Sequence, residues 1–145
     1  MIFRPIASDG TVTGLTEQLP EEARTALEAT ASMYRSVPHS PPWISYLACE
    51  GNWAVGICAF VSPPSAGVVE IAYNTFPGNE GRGVATAMAG MLVNIARSAD
   101  AAVIVSAHTL PAHGASTRIL QKLGFTQSEL VQHPADGPIW VWRLG

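Results

Sequence analysis

Glu80-Gly81-Arg82-Gly83-Val84-Ala85-Thr86 constrains this chain more than any other stretch. It follows an apolar run, Val68 to Thr75, that reads as a strand, and it precedes a run from Val84 to about Arg97 that reads as a helix. A glycine turn feeding a helix N-terminus leaves backbone N–H groups unpaired and converging, with the helix dipole adding partial positive charge. Such a turn is a ready site for phosphate. Gly81 and Gly83 carry no Cβ to hold a pyrophosphate off the backbone, and Arg82 adds a donor suited to phosphate oxygens.

Three phosphate-binding designs compete for the turn. A P-loop requires Gly-Lys-Ser/Thr at the helix start, and no Lys follows these glycines. A dinucleotide fingerprint requires a third glycine where Thr86 stands, and an acid after the next strand, whereas Asp100 lies before it. In the third design, Glu80 to Ala85 resembles the acyl-CoA pyrophosphate loop of the GNAT N-acetyltransferases, Arg/Gln-x-x-Gly-x-Gly/Ala. Gly83 and Ala85 match, and Glu80 departs from the family's Arg or Gln.

A later block strengthens the resemblance. Ala107 to Phe125 is similar to the segment Asn-x-x-Ser-x-x-x-Leu-x-Lys-Leu-Gly-Phe of the branch that includes the ribosomal-protein N-terminal acetyltransferases. Ser116, Leu120, Lys122, Leu123, Gly124 and Phe125 match, and His113 replaces the Asn. Val69-Glu70-Ile71-Ala72-Tyr73 also resembles that branch. The three blocks keep the family's order and spacing, and the resemblance covers roughly residues 44 to 130. It implies a mixed α/β GNAT fold, a central sheet flanked by helices, with acetyl-CoA as cosubstrate and a primary amine as acceptor.

Composition sets the outer bounds. The 145 residues are expected to form one domain, residues 1–145. With 48% hydrophobic and 13% charged residues the chain is globular rather than disordered. A net charge of -3 without any Lys/Arg run argues against nucleic acid and suits a cationic amine. No apolar run is long enough to span a membrane, and Met1-Ile2-Phe3-Arg4-Pro5 does not read as a signal peptide. Cys49 and Cys58 are the two cysteines. A hairpin turn at Gly51-Asn52 would set Cys49 opposite Ala54 and Cys58 opposite Ser45, roughly 13 Å apart and beyond disulfide reach. Two buried thiols in a reducing cytoplasm are the expectation.

Periodicity yields the order β-α-β-β-β-α-β-α-β-β. Ile2 to Ile6 reads as a strand. Pro20-Glu21-Glu22 starts a helix with apolar positions at Ala23, Ala26, Leu27 and Thr30. Trp43–Cys49 and Trp53–Val61 form a hairpin, and Ala102–Ala107 is a buried strand. A helix carries Ser116, Ile119, Leu120 and Leu123 on one face, with Gly124 as its C-cap. Phe125–Val131 and Pro138–Leu144 close the chain. Whether the apolar strand Ile139–Leu144 forms the edge of a homodimer stays open. The tryptophans Trp43, Trp53, Trp140 and Trp142 read as core or edge packing.

An amine with a pKa near 10.4 is protonated at neutral pH, so a transferase must remove a proton and stabilise an oxyanion and a leaving thiolate. The resemblance assigns backbone contacts with the pantetheine arm to Ile71, Ala72 and Tyr73, and cofactor contacts to Gly81, Arg82, Gly83, Val84, Ala85, Thr86 and His113. Glu70 is its candidate base, on the same strand face as Ala72 and Asn74; a plain carboxylate pair is the other reading. Ser116 is its candidate donor to the thiolate or to CoA, since the family's acidic Tyr falls at Leu120; an ordinary helix-start hydroxyl is the other reading. His108 and His113 lack ligand-spaced partners, so no metal is expected. A non-catalytic acyl-CoA-binding or sensing domain remains the alternative function, and a nucleotide-binding protein a third.

Overall fold

In a computed structural model, which describes residues 1–15 and 19–145, the ten elements follow the expected order. They are β1 (Ile2–Pro5), α1 (Glu21–Met33), β2 (Ser45–Glu50), β3 (Trp53–Phe60), β4 (Val68–Thr75), α2 (Val84–Ala99), β5 (Ile104–Thr109), α3 (Ala115–Lys122), β6 (Thr126–His133) and β7 (Gly137–Leu144). The strands make one sheet in the order β1-β2-β3-β4-β5-β7-β6. Among the described residues only β4 and β5 pair in parallel, joined by the α2 crossover.

Two apolar cores lie on opposite faces of the sheet. Under α2, Val84, Met88, Leu92 and Ala96 come round once per turn and pack on Val55, Phe60, Val69, Ile71, Val105 and Trp142. Under α1, Ala23 and Leu27 pack on Ile6, Leu47, Cys49, Ala54 and Phe76. Gly56 permits the close seating of α2: a Cβ there would lie 2.9 Å from Met88 Sδ and 2.9 Å from the Asn74 carbonyl oxygen.

Several expectations are corrected. The β2–β3 register slips at Ala48/Cys49, so Cys49 opposes Ala54 as expected but Cys58 opposes Tyr46, not Ser45. The bulge puts the two buried free thiols in different cores, Cys49 under α1 and Cys58 under α2. β5 starts at Ile104, two residues later than read, because Asp100 closes a turn. Its side chain accepts from Ala102 N–H (3.0 Å) and its carbonyl from Val103 N–H (3.2 Å). β7 is no edge: it lies between β5 and β6, which accounts for its apolar sequence. Trp142 is buried and donates Nε1–H to Thr109 Oγ1 at 2.9 Å, whereas Trp53 is 55% exposed and belongs to neither core. No helix among the described residues is long and apolar enough to cross a membrane.

Candidate active site

The sheet opens between β4 and β5. β4 pairs with β5 only from Val68↔Ile104 to Ile71↔Ala107, although β4 runs on to Thr75 and β5 to Thr109. Beyond Ile71 the strands part, while β4 stays paired with β3 as far as Thr75. The bonds from Val61 N–H to the Glu70 oxygen and from Phe76 N–H to the Val55 oxygen set the parity of the strand. Amide groups of Glu70, Ala72 and Asn74 point to β3; those of Ile71, Tyr73 and Thr75 point to β5 and, past Ile71, into the gap. Of the three strand residues expected to offer backbone contacts, Tyr73 therefore offers a free pair, Ile71 sits at the last β5 pairing, and Ala72 is turned to Ala59. Thr75 joins Tyr73, a residue that strand reading without a register missed.

A cavity of about 580 Å³ occupies this gap. Tyr73, Asn74 and Thr75 form one wall, Asn79 to Thr86 without Arg82 form the floor, and α3 forms the facing wall. Gly81 and Gly83 have φ of +75° and +78°, the left-handed region that a side chain strains to adopt, and a Cβ on either would meet open space. Gly83 is the N-cap of α2 and no side chain caps that end, so the first N–H groups of the helix are left to the cavity. The cradle fits a pyrophosphate: it is open, built of backbone donors and at the positive end of a helix dipole.

The turn is braced from within. Glu80 Oε2 accepts Gly78 N–H at 2.9 Å, which accounts for a carboxylate where the resembled family has Arg or Gln. Arg82 departs from expectation: its guanidinium donates to Glu50 Oε1 at 3.1 Å and Asn79 Oδ1 at 3.0 Å, and it is not part of the cavity wall. Two anchors of the protein itself hold it there.

On α3, Ala115, Arg118, Ile119 and Lys122 form a stripe toward the cavity, and Ser116 joins it. Thr117 does the capping work. Its Oγ1 accepts Gly114 N–H at 2.9 Å and donates to the Gly114 oxygen at 3.0 Å, which frees the Ser116 hydroxyl from that task. Leu120 is fully buried, and Gly124 and Phe125 end the helix with N–H bonds to the Gln121 and Leu120 oxygens, a Schellman stop. Arg118 was not foreseen, although its place in an i, i+3, i+4, i+7 stripe with Ala115, Ile119 and Lys122 is legible. His113 lies outside the cavity wall and packs its ring on Trp140, centroids 4.9 Å apart.

Val69 and Ile71 are buried in the core under α2, so Glu70 between them lies on the opposite, α1 face with Ala72 and Asn74, though it lines neither this cavity nor the one under α1. Its Oε2 lies 3.3 Å from His108 Nδ1, and both side chains are about a third exposed. Neither lines the 580 Å³ cavity. A second cavity of about 270 Å³ lies under α1, bounded by Ala29, Met33, Ile57, Ala59 and Ala72 without a charged residue. It shares Tyr73 and Asn74 with the first, so β4 is the partition between the two. Burial pushes the Tyr73 phenol up to about 12.

A family model described as an acetyltransferase (GNAT) domain matches residues 1–126. No curated protein sequence matches. Among solved structures, the chain is similar to the ribosomal-protein-S5-alanine acetyltransferase from Vibrio fischeri (14% identity, TM-score 0.61, 69% of this chain and 60% of that one). It is also similar to the ribosomal L7/L12 alpha-N-protein acetyltransferase RimL in complex with coenzyme A (14%, 0.64, 86% and 71%). A third likeness is the aminoglycoside acetyltransferase AAC(6')-Ib in complex with coenzyme A (21%, 0.58, 69% and 64%). At these identities the likeness is one of fold, and the chain spans less than two thirds of the length of the first and third of these proteins.

Proposed function

The chain belongs to the GNAT acetyltransferase family, and from that membership we propose that it is an acetyl-CoA-dependent N-acetyltransferase that acetylates a primary amine in a ternary complex. The observation that carries the reading is the gap between β4 and β5, which runs into a cavity floored by the uncapped N-terminus of α2. Backbone donors of Gly81, Gly83, Val84, Ala85 and Thr86 would hold the pyrophosphate, and the free amide groups of Tyr73 and Thr75 would hold the pantetheine arm. Acetyl-CoA supplies an acyl thioester when bound.

The amine approaches from the α1 side of β4, through the smaller cavity. Its uncharged walls suit an amine whose neighbouring substituents are small and apolar, and the likeness to RimL, an alpha-N-protein acetyltransferase, leans toward a protein N-terminus. Glu70, on this face and steadied by His108, accepts the ammonium proton, through water where the carboxylate does not reach. The free amine then attacks directly. As the C–S bond breaks, the attacking nitrogen passes its remaining proton to the departing sulfur, and Ser116 Oγ–H, which lines the cavity and carries no capping duty, hydrogen-bonds that sulfur. The buried free thiols fit a reducing compartment.

Release of free CoA across a panel of amines tests the reading. Glu70→Gln is expected to lower kcat about 10²–10⁴-fold while CoA affinity holds. Tight CoA binding with no turnover on any amine would instead favour an acyl-CoA-binding module.

A further inference from the structure

Side-chain charge for a bound polyanion comes from across the cavity, not from the glycine turn. Within the turn, Glu80 adds a negative charge to the wall, and Arg82 is engaged by Glu50 and Asn79. Facing the turn, α3 presents Arg118 and Lys122 one helical turn apart, both exposed and both on the cavity wall. Neither side chain has a hydrogen-bond or ion-pair partner among the described residues. The chain has eight Lys and Arg residues. Arg4, Arg82, Arg97 and Arg143 bond to protein groups, and Arg24 and Arg35 lie outside this cavity. Among the described residues, Arg118 and Lys122 are the cations of the cavity wall.

We infer that Arg118 and Lys122 bind the terminal phosphomonoester of coenzyme A, while the backbone donors of the turn take its pyrophosphate. This rests on reading the cavity as the acyl-CoA site. Directed backbone N–H groups suit oxygens lying against the turn. A phosphomonoester carries about -1.5 to -2 charge at neutral pH and gains most from full side-chain charges. An Arg fork and a Lys point charge at i, i+4 stand about 5–6 Å apart at Cβ, close enough to bracket one such group. The carboxylate of Glu80 makes these cations more necessary.

Calorimetric titration with CoA, dephospho-CoA and pantetheine, using the full chain and an Arg118→Ala/Lys122→Ala variant, tests the assignment. The unaltered chain is expected to prefer CoA over dephospho-CoA by about tenfold or more, the value of one or two charge-assisted hydrogen bonds. The variant should lose that preference, keep its affinity for dephospho-CoA, and show a weaker salt dependence for CoA. Both positions are exposed, so its thermal melt should be unchanged. Equal loss for both ligands would overturn the phosphomonoester assignment, as would an unaltered chain without preference; in the latter case binding of CoA itself leaves the acyl-CoA reading standing. If the unaltered chain binds none of the three, the acyl-CoA reading fails and the inference with it.

Discussion

Cys58 and Tyr73 face each other across β3 and β4, and burial pushes both groups up, the thiol from 9.0 and the phenol from 10.0, to about 12. The folded chain therefore keeps protons that the unfolded chain releases above about pH 9 and 10. Their contribution to stability is full below pH 9 and is lost as pH rises toward 12. For the thiol the loss is at most about 1.4 kcal/mol per pH unit. Urea unfolding at pH 8 and pH 10.5 should show a smaller drop for a Cys58→Ala/Tyr73→Phe chain than for the unaltered one, and an equal drop would refute the account. Neighbouring positions show how unevenly single side chains can be read from sequence. Glu70 on the α1 face follows from alternation alone. Arg82, two residues from Glu80 in the same turn, does not, because its partner Glu50 is 32 residues away.

The entry to α2 is a conformational requirement that a substitution can isolate. Gly83 caps the helix at φ +78°, where an L side chain costs roughly 1–2 kcal/mol, although no atom would clash with its Cβ. Gly114 caps α3 in extended backbone, φ -176°, and its Cβ would also meet open space. Gly83→Ala should thus destabilise the fold by about 1 kcal/mol and weaken CoA binding, whereas Gly114→Ala should change stability little. Equal effects in chemical denaturation would contradict this backbone account. Helix positions and caps were legible because their signals are local: a stripe every three or four residues, Pro20 and two acids at the start of α1, Gly124 at the end of α3. The β2 bulge was not. In strands buried on both faces alternation carries no sign, so nothing in Ser45–Cys49 marks the slipped register.

Three distant segments meet at the cavity: the end of β4, the turn into α2 and the exposed stripe of α3. A ligand bound there ties them together and stabilises the folded state by mass action, about 2.7 kcal/mol at 100 times its Kd. CoA should raise the thermal midpoint and slow amide hydrogen exchange in Gly81–Thr86 and α3, while the β1–β2 edge remains unaffected. Uniform protection across the sheet, or none, would argue against a site at this junction. The fold also explains the place of this cavity: among the described residues β4 and β5 are the parallel neighbours, and they part company past Ile71 and Ala107.

The order of elements, the glycine turn with its phosphate-ready helix and the buried stripe of α2 follow from the residues in line, since turn chemistry, capping and periodicity act over a few positions. The parting of β4 from β5, the place of β7 inside the sheet, the diversion of Arg82 to Glu50 and the arrival of Arg118 and Lys122 opposite the turn are decided by packing. These depend on contacts between segments tens of residues apart, whose pairing is set when the sheet assembles and the helices settle on its two faces.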